Sequence, residues 1–176
     1  SLNVINRDRL ARWADPARFT SARNLANFET VVTNATVPLP TAVADPETGE
    51  IPPWASRLAR GSVRKTFVTV GRLSPEKNPA RLLDAFAVVH RAHPNSQLVI
   101  VGSGPLQGAL EHRAEALGIS PAVIFTGHQS NPHAIMAASD CFVLSSDYEG
   151  QPMVLLGALM VGLPIVTVAF VPVAAP

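Results

Sequence analysis

From Arg64 onward, short apolar runs alternate with stretches in which apolar residues recur every three or four positions. Thr66-Phe67-Val68-Thr69-Val70 has the β-branched, aromatic character of a strand and is closed by Gly71. Pro79 to His90 then places Leu82, Leu83, Phe86 and Val89 at helical spacing, with Pro94 just beyond. Gln97 to Val101 predicts the next strand, ending in Gly102-Ser103-Gly104, and a helix from Leu106 to Leu117 stops at Gly118. Val123 to Thr126 reads as a third strand, Pro132 to Ser139 as a short helix, and Cys141 to Leu144 as a fourth strand. Pro152 to Val161 completes the series as a helix, with Ile165 to Val168 as a fifth strand. Strict alternation of this kind predicts an α/β fold, a Rossmann-like doubly wound parallel sheet of about five strands with right-handed crossovers. Ligands of such sheets bind at the carboxyl ends of the strands.

The first sixty residues lack this rhythm. A short helix is expected from Asn6 to Ala14, stopped by Asp15-Pro16. The stretch from Pro38 and Pro40 through Pro46 to Pro52-Pro53 reads as linker or irregular surface. The expected organisation is therefore an N-terminal segment and Pro-rich linker over 1–61, followed by a folded domain over 62–176.

Composition agrees with a core-forming chain. Of 176 residues, 47% are hydrophobic and 15% charged, with a mean hydropathy of +0.22. That is too apolar for a disordered chain. A net charge of +1 argues against a nucleic-acid binder. One cysteine, Cys141, excludes an intrachain disulfide framework and is expected to be a buried, reduced thiol. Ser1 to Leu10 lacks the basic-then-apolar layout of a signal peptide, so a cytoplasmic location is expected. Gly150 to Pro176 carries no charge, yet Pro152, Pro164 and Pro172, with Gly157 and Gly162, divide it into pieces too short to span a membrane.

The charges point to where chemistry can occur. Thirteen of the fourteen Lys and Arg residues lie at or before Arg91, and nothing after Arg113 is basic. A bound phosphate would take its cations from the first part of the chain and its remaining donors from backbone N–H groups. Arg72 and Lys77, on the loop after the first strand, can converge on an anion near a helix N-terminus, or form a solvated surface pair. Gly102-Ser103-Gly104-Pro105 looks like half of a dinucleotide fingerprint. Gly108 falls one position late, however, and the next strand ends in Thr126-Gly127-His128 without the ribose-binding acid, so a nicotinamide site does not fit. His128, after the third strand, is open to a surface or capping role, or to a place beside a nucleobase edge.

Ser145 to Pro152 is the richest stretch. Pro152 suits a first helical position, which would turn the N–H groups of Met153 and Val154 toward a ligand. Glu149 stands just ahead, able to accept from sugar hydroxyls, while Asp147-x-Glu149 could instead mimic a metal-binding pair.

Taken together, Val70 to Asn78, Val101 to Leu106, Phe125 to His128 and Ser145 to Pro152 resemble, in order and spacing, one group of enzymes. They look like the C-terminal, donor-binding domain of retaining glycosyltransferases of the GT-B fold, family 4 (glycosyl transferases group 1), over roughly Lys65 to Thr167. The resemblance implies transfer of a sugar from a nucleotide diphosphate sugar, retention at the anomeric carbon, no metal and no further cofactor, and a place in polysaccharide or cell-wall glycan synthesis. Arg72, Lys77 and Glu149 would be the catalytic set, the two cations gripping the diphosphate and Glu149 the sugar hydroxyls. Gly127, His128 and Gln129 would line the base. Gly71, Gly102, Ser103 and Gly104 would approach the donor, and Gly150, Gln151, Met153 and Val154 would cap its phosphates.

The chain departs from the family where a second glutamate, eight positions after Glu149, would hold the ribose hydroxyls: Gly157 stands there. Restoring that acid, Gly157→Glu, is expected to tighten nucleotide binding unless the glycine serves packing. The glycine-rich loop after the fifth strand is replaced by Val168-Ala169-Phe170-Val171-Pro172. An acceptor-binding N-terminal domain has no room in residues 1–60. The expected picture is a donor domain truncated at its C-terminal end, inactive alone, whose parent enzyme could touch a membrane peripherally. The alternative is a non-catalytic nucleotide-binding or folding module. Arg72 and Lys77 lie on a polar loop, where truncation of either is expected to spare the fold.

Overall fold

The computed structural model describes residues 30–31, 33–39, 43–45, 47–58, 64–149, 152–169 and 171–172. The helix expected at Asn6 to Ala14 lies outside them, as do Gly150 and Gln151.

Five parallel strands form the main sheet: β1 (Lys65–Val70), β2 (Ser96–Val101), β3 (Val123–Gly127), β4 (Cys141–Leu144) and β6 (Ile165–Thr167), in the order β3-β2-β1-β4-β6. A two-residue strand, β5 (Tyr148–Glu149), pairs in parallel with β7 (Val171–Pro172) in a small second sheet. Neither short strand is visible in the pattern of the sequence. Four helices connect the main strands: α1 (Pro79–Ala92), α2 (Gln107–Ala116), α3 (Pro132–Ala137) and α4 (Met153–Met160). The expected doubly wound parallel sheet is the observed one.

Each face of the sheet carries its own core, because successive side chains of a strand point to opposite faces. Along β2, Leu98 and Ile100 join Leu82, Leu83 and Phe86 of α1 and Leu110 and Ala114 of α2. Val99 and Val101 of the same strand join Ile135 and Met136 of α3 and Ala158 and Met160 of α4. All six residues of β2 are buried, which explains a strand with no exposed position in its sequence.

The second core also takes in Val31, Ala35, Val43, Ala55 and Leu58. The stretch read as linker therefore contributes buried side chains, and Pro53–Leu58 forms a 3-10 helix whose Ala55 and Leu58 are buried. Proline density marked irregular backbone here, but irregular backbone can still dock when it carries apolar side chains.

β1 and β4 are neighbours, while α1 and α2 lie on one face and α3 and α4 on the other. The chain's connections reverse direction between these two strands, which opens a crevice at their carboxyl ends. No helix among the described residues is long and apolar enough to cross a membrane.

Candidate functional site

A cleft occupies that crevice, lined by Thr69, Val70, Gly71, Arg72, Leu73, Lys77, Pro79, Leu82, Leu144, Ser145 and Ser146. Two loops build it, one after β1 and one after β4.

The β1 loop ends in a single 3-10 turn, Pro75–Lys77, followed by Asn78 in the left-handed region at φ 42°. Asn78 then caps α1: its side chain accepts from the Arg81 N–H at 3.2 Å, and Pro79 occupies the first helical position. This sharp turn aims Lys77 across the cleft. Its Nζ lies 2.7 Å from both carboxylate oxygens of Glu149.

Glu149 is only 6% exposed, whereas the Lys77 side chain keeps 30%. A buried carboxylate is costly unless its oxygens are paired. Here both are: Lys77 takes the two, and the buried Ser146 hydroxyl donates to Oε1 at 2.6 Å. The structure thus brings together Lys77 and Glu149, 72 residues apart in sequence.

Asp147 does not join Glu149 in an acidic pair. Its Oδ2 accepts from Asn78 Nδ2 at 2.9 Å, and its Oδ1 meets Arg81 Nη2 at 2.5 Å. Its own N–H donates to the Glu76 carbonyl at 2.9 Å. Ser145 adds a hydroxyl shared between the carbonyls of Lys77 and Asn78, at 3.0 Å each. Among the described residues, no three His, Cys, Asp or Glu side chains gather as a metal site would require.

Arg72 is exposed and lines the same cleft. Nearby, Glu76 is held below the usual carboxylate range, first by the Ser74 hydroxyl, which donates at 2.5 Å, and further by its own backbone N–H, Lys77 and Arg72.

The glycines after β2 have a backbone reason. Gly102 adopts φ 133°, and a Cβ there would stand 2.0 Å from the Gly71 carbonyl oxygen. At Gly104 a Cβ would stand 2.4 Å from the Leu73 carbonyl oxygen. This contact lets the two loops bond directly: Gly71 N–H to Val101 O, Leu73 N–H to Ser103 O, and Leu106 N–H to Leu73 O, at 2.9 to 3.1 Å. Ser103 is exposed at the rim. Gly102 also donates to the Gly127 carbonyl at 2.8 Å, so the turn after β3 belongs to the same rim. His128 is exposed there, and Gln129 Nε2 donates to the Thr126 carbonyl at 2.9 Å.

Pro152 sits at the cap of α4, one position before the first helical residue, and its carbonyl accepts the Leu155 N–H at 2.9 Å. Met153 and Val154 open the helix, Met153 being exposed. Gly157 is buried and faces α3: a Cβ there would lie 3.3 Å from His133 Nε2 and 3.9 Å from Met136 Sδ. His133 is half-buried, its Nδ1 has no partner among the described residues, and burial pushes its pKa down. Cys141 is half-buried rather than buried, its thiol pushed up first by burial and then by Asp140.

Sequence reasoning missed Asn78, Arg81 and Ser146 as builders of the site, and His133 as the neighbour of Gly157. Asn before a helix-initiating proline was a legible capping signal. The partnership with Asp147 was not, because its members are 66 and 69 residues apart.

Residues 52–175 match the family model described as glycosyl transferases group 1. An uncharacterized glycosyltransferase of Methanocaldococcus jannaschii is 35% identical over 101 residues, covering 57% of this chain and 25% of that protein. The GDP-mannose-dependent alpha-(1-6)-phosphatidylinositol dimannoside mannosyltransferase of Mycobacterium tuberculosis is 30% identical, covering 93% of this chain and 49% of its own length. Among solved structures, the pneumococcal O-GlcNAc transferase GtfA in complex with UDP and GlcNAc superposes with a TM-score of 0.58 at 25% identity, covering 61% of this chain and 21% of that one. The chain thus spans about a quarter of the length of the first of these curated relatives and about half of the second. With the family model covering most of its length and the sheet built as in a glycosyltransferase neighbour, the chain belongs to the glycosyl transferases group 1 family.

Proposed function

We propose that this chain forms the donor-binding part of a retaining glycosyltransferase that moves a sugar from a nucleotide diphosphate sugar to an acceptor. The observation that carries the reading is the meeting of Lys77 and Glu149, 2.7 Å apart, at the crevice between β1 and β4. In the transfer, the bond between the anomeric carbon and the diphosphate oxygen breaks, and its electron pair leaves with the nucleoside diphosphate. The acceptor oxygen bonds to that carbon, and its proton passes to the departing diphosphate oxygen. Negative charge grows on the departing phosphate, where preorganised cations and amides act without reorganising. Arg72, Lys77 and the first N–H groups of α4, from Met153 and Val154, are suited to that task. Glu149 would accept from sugar hydroxyls, and Gly127, His128 and Gln129 would flank the base. Gly150 and Gln151 lie between Glu149 and α4 in sequence, where phosphate contacts would complete the site. The reaction as proposed needs neither a metal nor a further cofactor.

The family and the names of its relatives support a role in polysaccharide, glycolipid or cell-wall glycan synthesis, with a cytoplasmic nucleotide-sugar pool as donor. An acceptor-binding domain and a peripheral membrane contact would belong to the whole protein. One relative is named for GDP-mannose, and one structural neighbour was solved with UDP, so both bases belong in the test. Titration calorimetry of the chain with UDP, GDP, ADP and CDP should show saturable binding with one base preferred. Absence of binding to all four would overturn the reading.

A second reading is a nucleotide-binding module without transfer activity. It is favoured by Gly157, which offers no ribose acceptor and is packed on His133. Nucleotide binding by a full-length parent that transfers no sugar would decide for it.

A further inference from the structure

We propose that Asp147 is a positioning residue, the clamp that holds Lys77 and Glu149 in register for the donor; this rests on the donor-site reading above. The loop after β4 carries Glu149, and the loop after β1 carries Lys77. Nothing in either loop alone fixes their separation. Asp147 joins them at three points: its N–H bonds the Glu76 carbonyl, one carboxylate oxygen holds Asn78 and the other holds Arg81.

Asn78 is the pivotal contact. It directly follows Lys77 and is the one non-glycine with a positive φ among the described residues. A side-chain-bearing residue in the left-handed region costs free energy, which the surroundings must offset. Its side chain is held on both ends, its amide nitrogen donating to Asp147 and its oxygen capping α1 at the Arg81 N–H. Arg81, in the first turn of α1, returns to Asp147 with its guanidinium. Asp147, Asn78 and Arg81 therefore close a ring around the turn that aims Lys77.

This ring engages both carboxylate oxygens of Asp147, one on the Asn78 amide and one on the Arg81 guanidinium. Its effect on a donor is exerted through Lys77. Loss of the carboxylate leaves the turn tied to the β4 loop by the Ser145 hydroxyl, on the Lys77 and Asn78 carbonyls, and by the backbone N–H of residue 147. The Asn78 side chain loses its hold on that loop, and the line from Lys77 to Glu149 is loosened.

The chain has two lysines, which makes the test direct. Lys65 is 75% exposed in its surface pair with Asp140 and serves as the internal control. In ammonium-detected nitrogen–proton NMR of the ligand-free chain, Lys77 should give a signal slowed in exchange by its pairing with Glu149, identified by its loss in Lys77→Arg. Asp147→Ala should broaden or remove that signal and leave Lys65 unchanged, while unfolding stays cooperative. Asp147→Asn, which keeps shape and one acceptor, should give an intermediate signal and is read in the same way if the alanine variant fails to fold. An unchanged Lys77 signal in both variants overturns the proposal.

Calorimetry with the nucleoside diphosphate preferred by the wild type supplies the second arm. Asp147→Ala should weaken binding about tenfold, the lower end of what is lost when a ligand-orienting partner is removed from a metal site. In a Lys77→Ala background the same change should cost almost nothing, because Asp147 acts through Lys77; an equal loss in both backgrounds overturns the positioning role. A displaced Lys77 signal with a wild type that binds no nucleotide would leave the clamp standing and overturn the donor reading instead.

Discussion

Two regions beside the carboxyl edge of the sheet were singled out by the same sequence reading, and they are built on opposite principles. The Lys77–Glu149 region is polar and cross-linked by side chains from both loops. The Gly157–His133 region is a contact of shape, where a missing side chain admits an imidazole from the neighbouring helix. In the first, function is carried by what the residues present. In the second, the residue works by what it lacks, as do Gly102 and Gly104 between the two rim loops. A motif read in sequence can therefore mark a ligand contact or a close approach of backbone.

The largest effect is expected where a glycine admits backbone. Gly102→Ala places a Cβ 2.0 Å from the Gly71 carbonyl at φ 133°, and neither can yield without breaking the Gly71–Val101 bond. We expect a loss of at least about 4 kcal/mol, or no folded protein. Urea unfolding that matches wild type would show that the rim loops part freely.

Lys77 and Arg72 should then separate, contrary to the equal tolerance expected from their shared polar loop. Lys77→Ala strands a buried carboxylate and should cost about 2 kcal/mol, less than a fully buried pair because Lys77 stays partly exposed. Arg72→Ala, at an exposed position, should stay within about 0.5 kcal/mol. Equal denaturant midpoints for the two would sink the claim that the pair supports the fold.

Gly157→Glu sharpens the other side of the comparison. The sequence reading expects tighter nucleotide binding, whereas the imidazole 3.3 Å from the would-be Cβ favours overpacking. We expect a loss of about 1–2 kcal/mol without gain in affinity, relieved in a His133→Ala background. Tighter binding at an unchanged melting temperature would restore the ribose reading.

The smallest effect concerns pH. Burial lowers the pKa of His133 below its unfolded value, so the unfolded chain takes up the proton first. This contribution to stability is present above about pH 6.5, the ordinary histidine value, and is lost as pH falls through the lower folded value. His133→Gln should flatten that limb of the stability curve. An identical acid limb in the variant would assign it to other groups.

Much of the fold was legible because strand and helix periods are local. The Leu82-Leu83-Phe86 spacing of α1 and the apolar run of β2 reveal their buried faces without knowledge of partners. The small β5–β7 sheet was not legible, since two residues carry no period. The docking of Val31, Ala35 and Val43 was hidden by the prolines around them. At the site, the sequence supplied Arg72, Lys77 and Glu149 as a charged set on loops. It could not supply Asp147 as their clamp, because hydrogen-bond partnership depends on which loops the sheet order makes adjacent.

By itself, then, the sequence determined the alternating elements, the strand-end loops and the kinds of chemistry those loops can offer, all of which follow from local periodicity and side-chain type. Only the tertiary structure decided that Lys77 faces Glu149, that Asp147 faces Asn78 and Arg81, and that Gly157 faces His133. The physical reason is the placement of β1 beside β4 and of α3 beside α4. That packing is fixed by burial of both sheet faces, and it turns separations of 24 to 72 residues along the chain into contacts of a few ångströms.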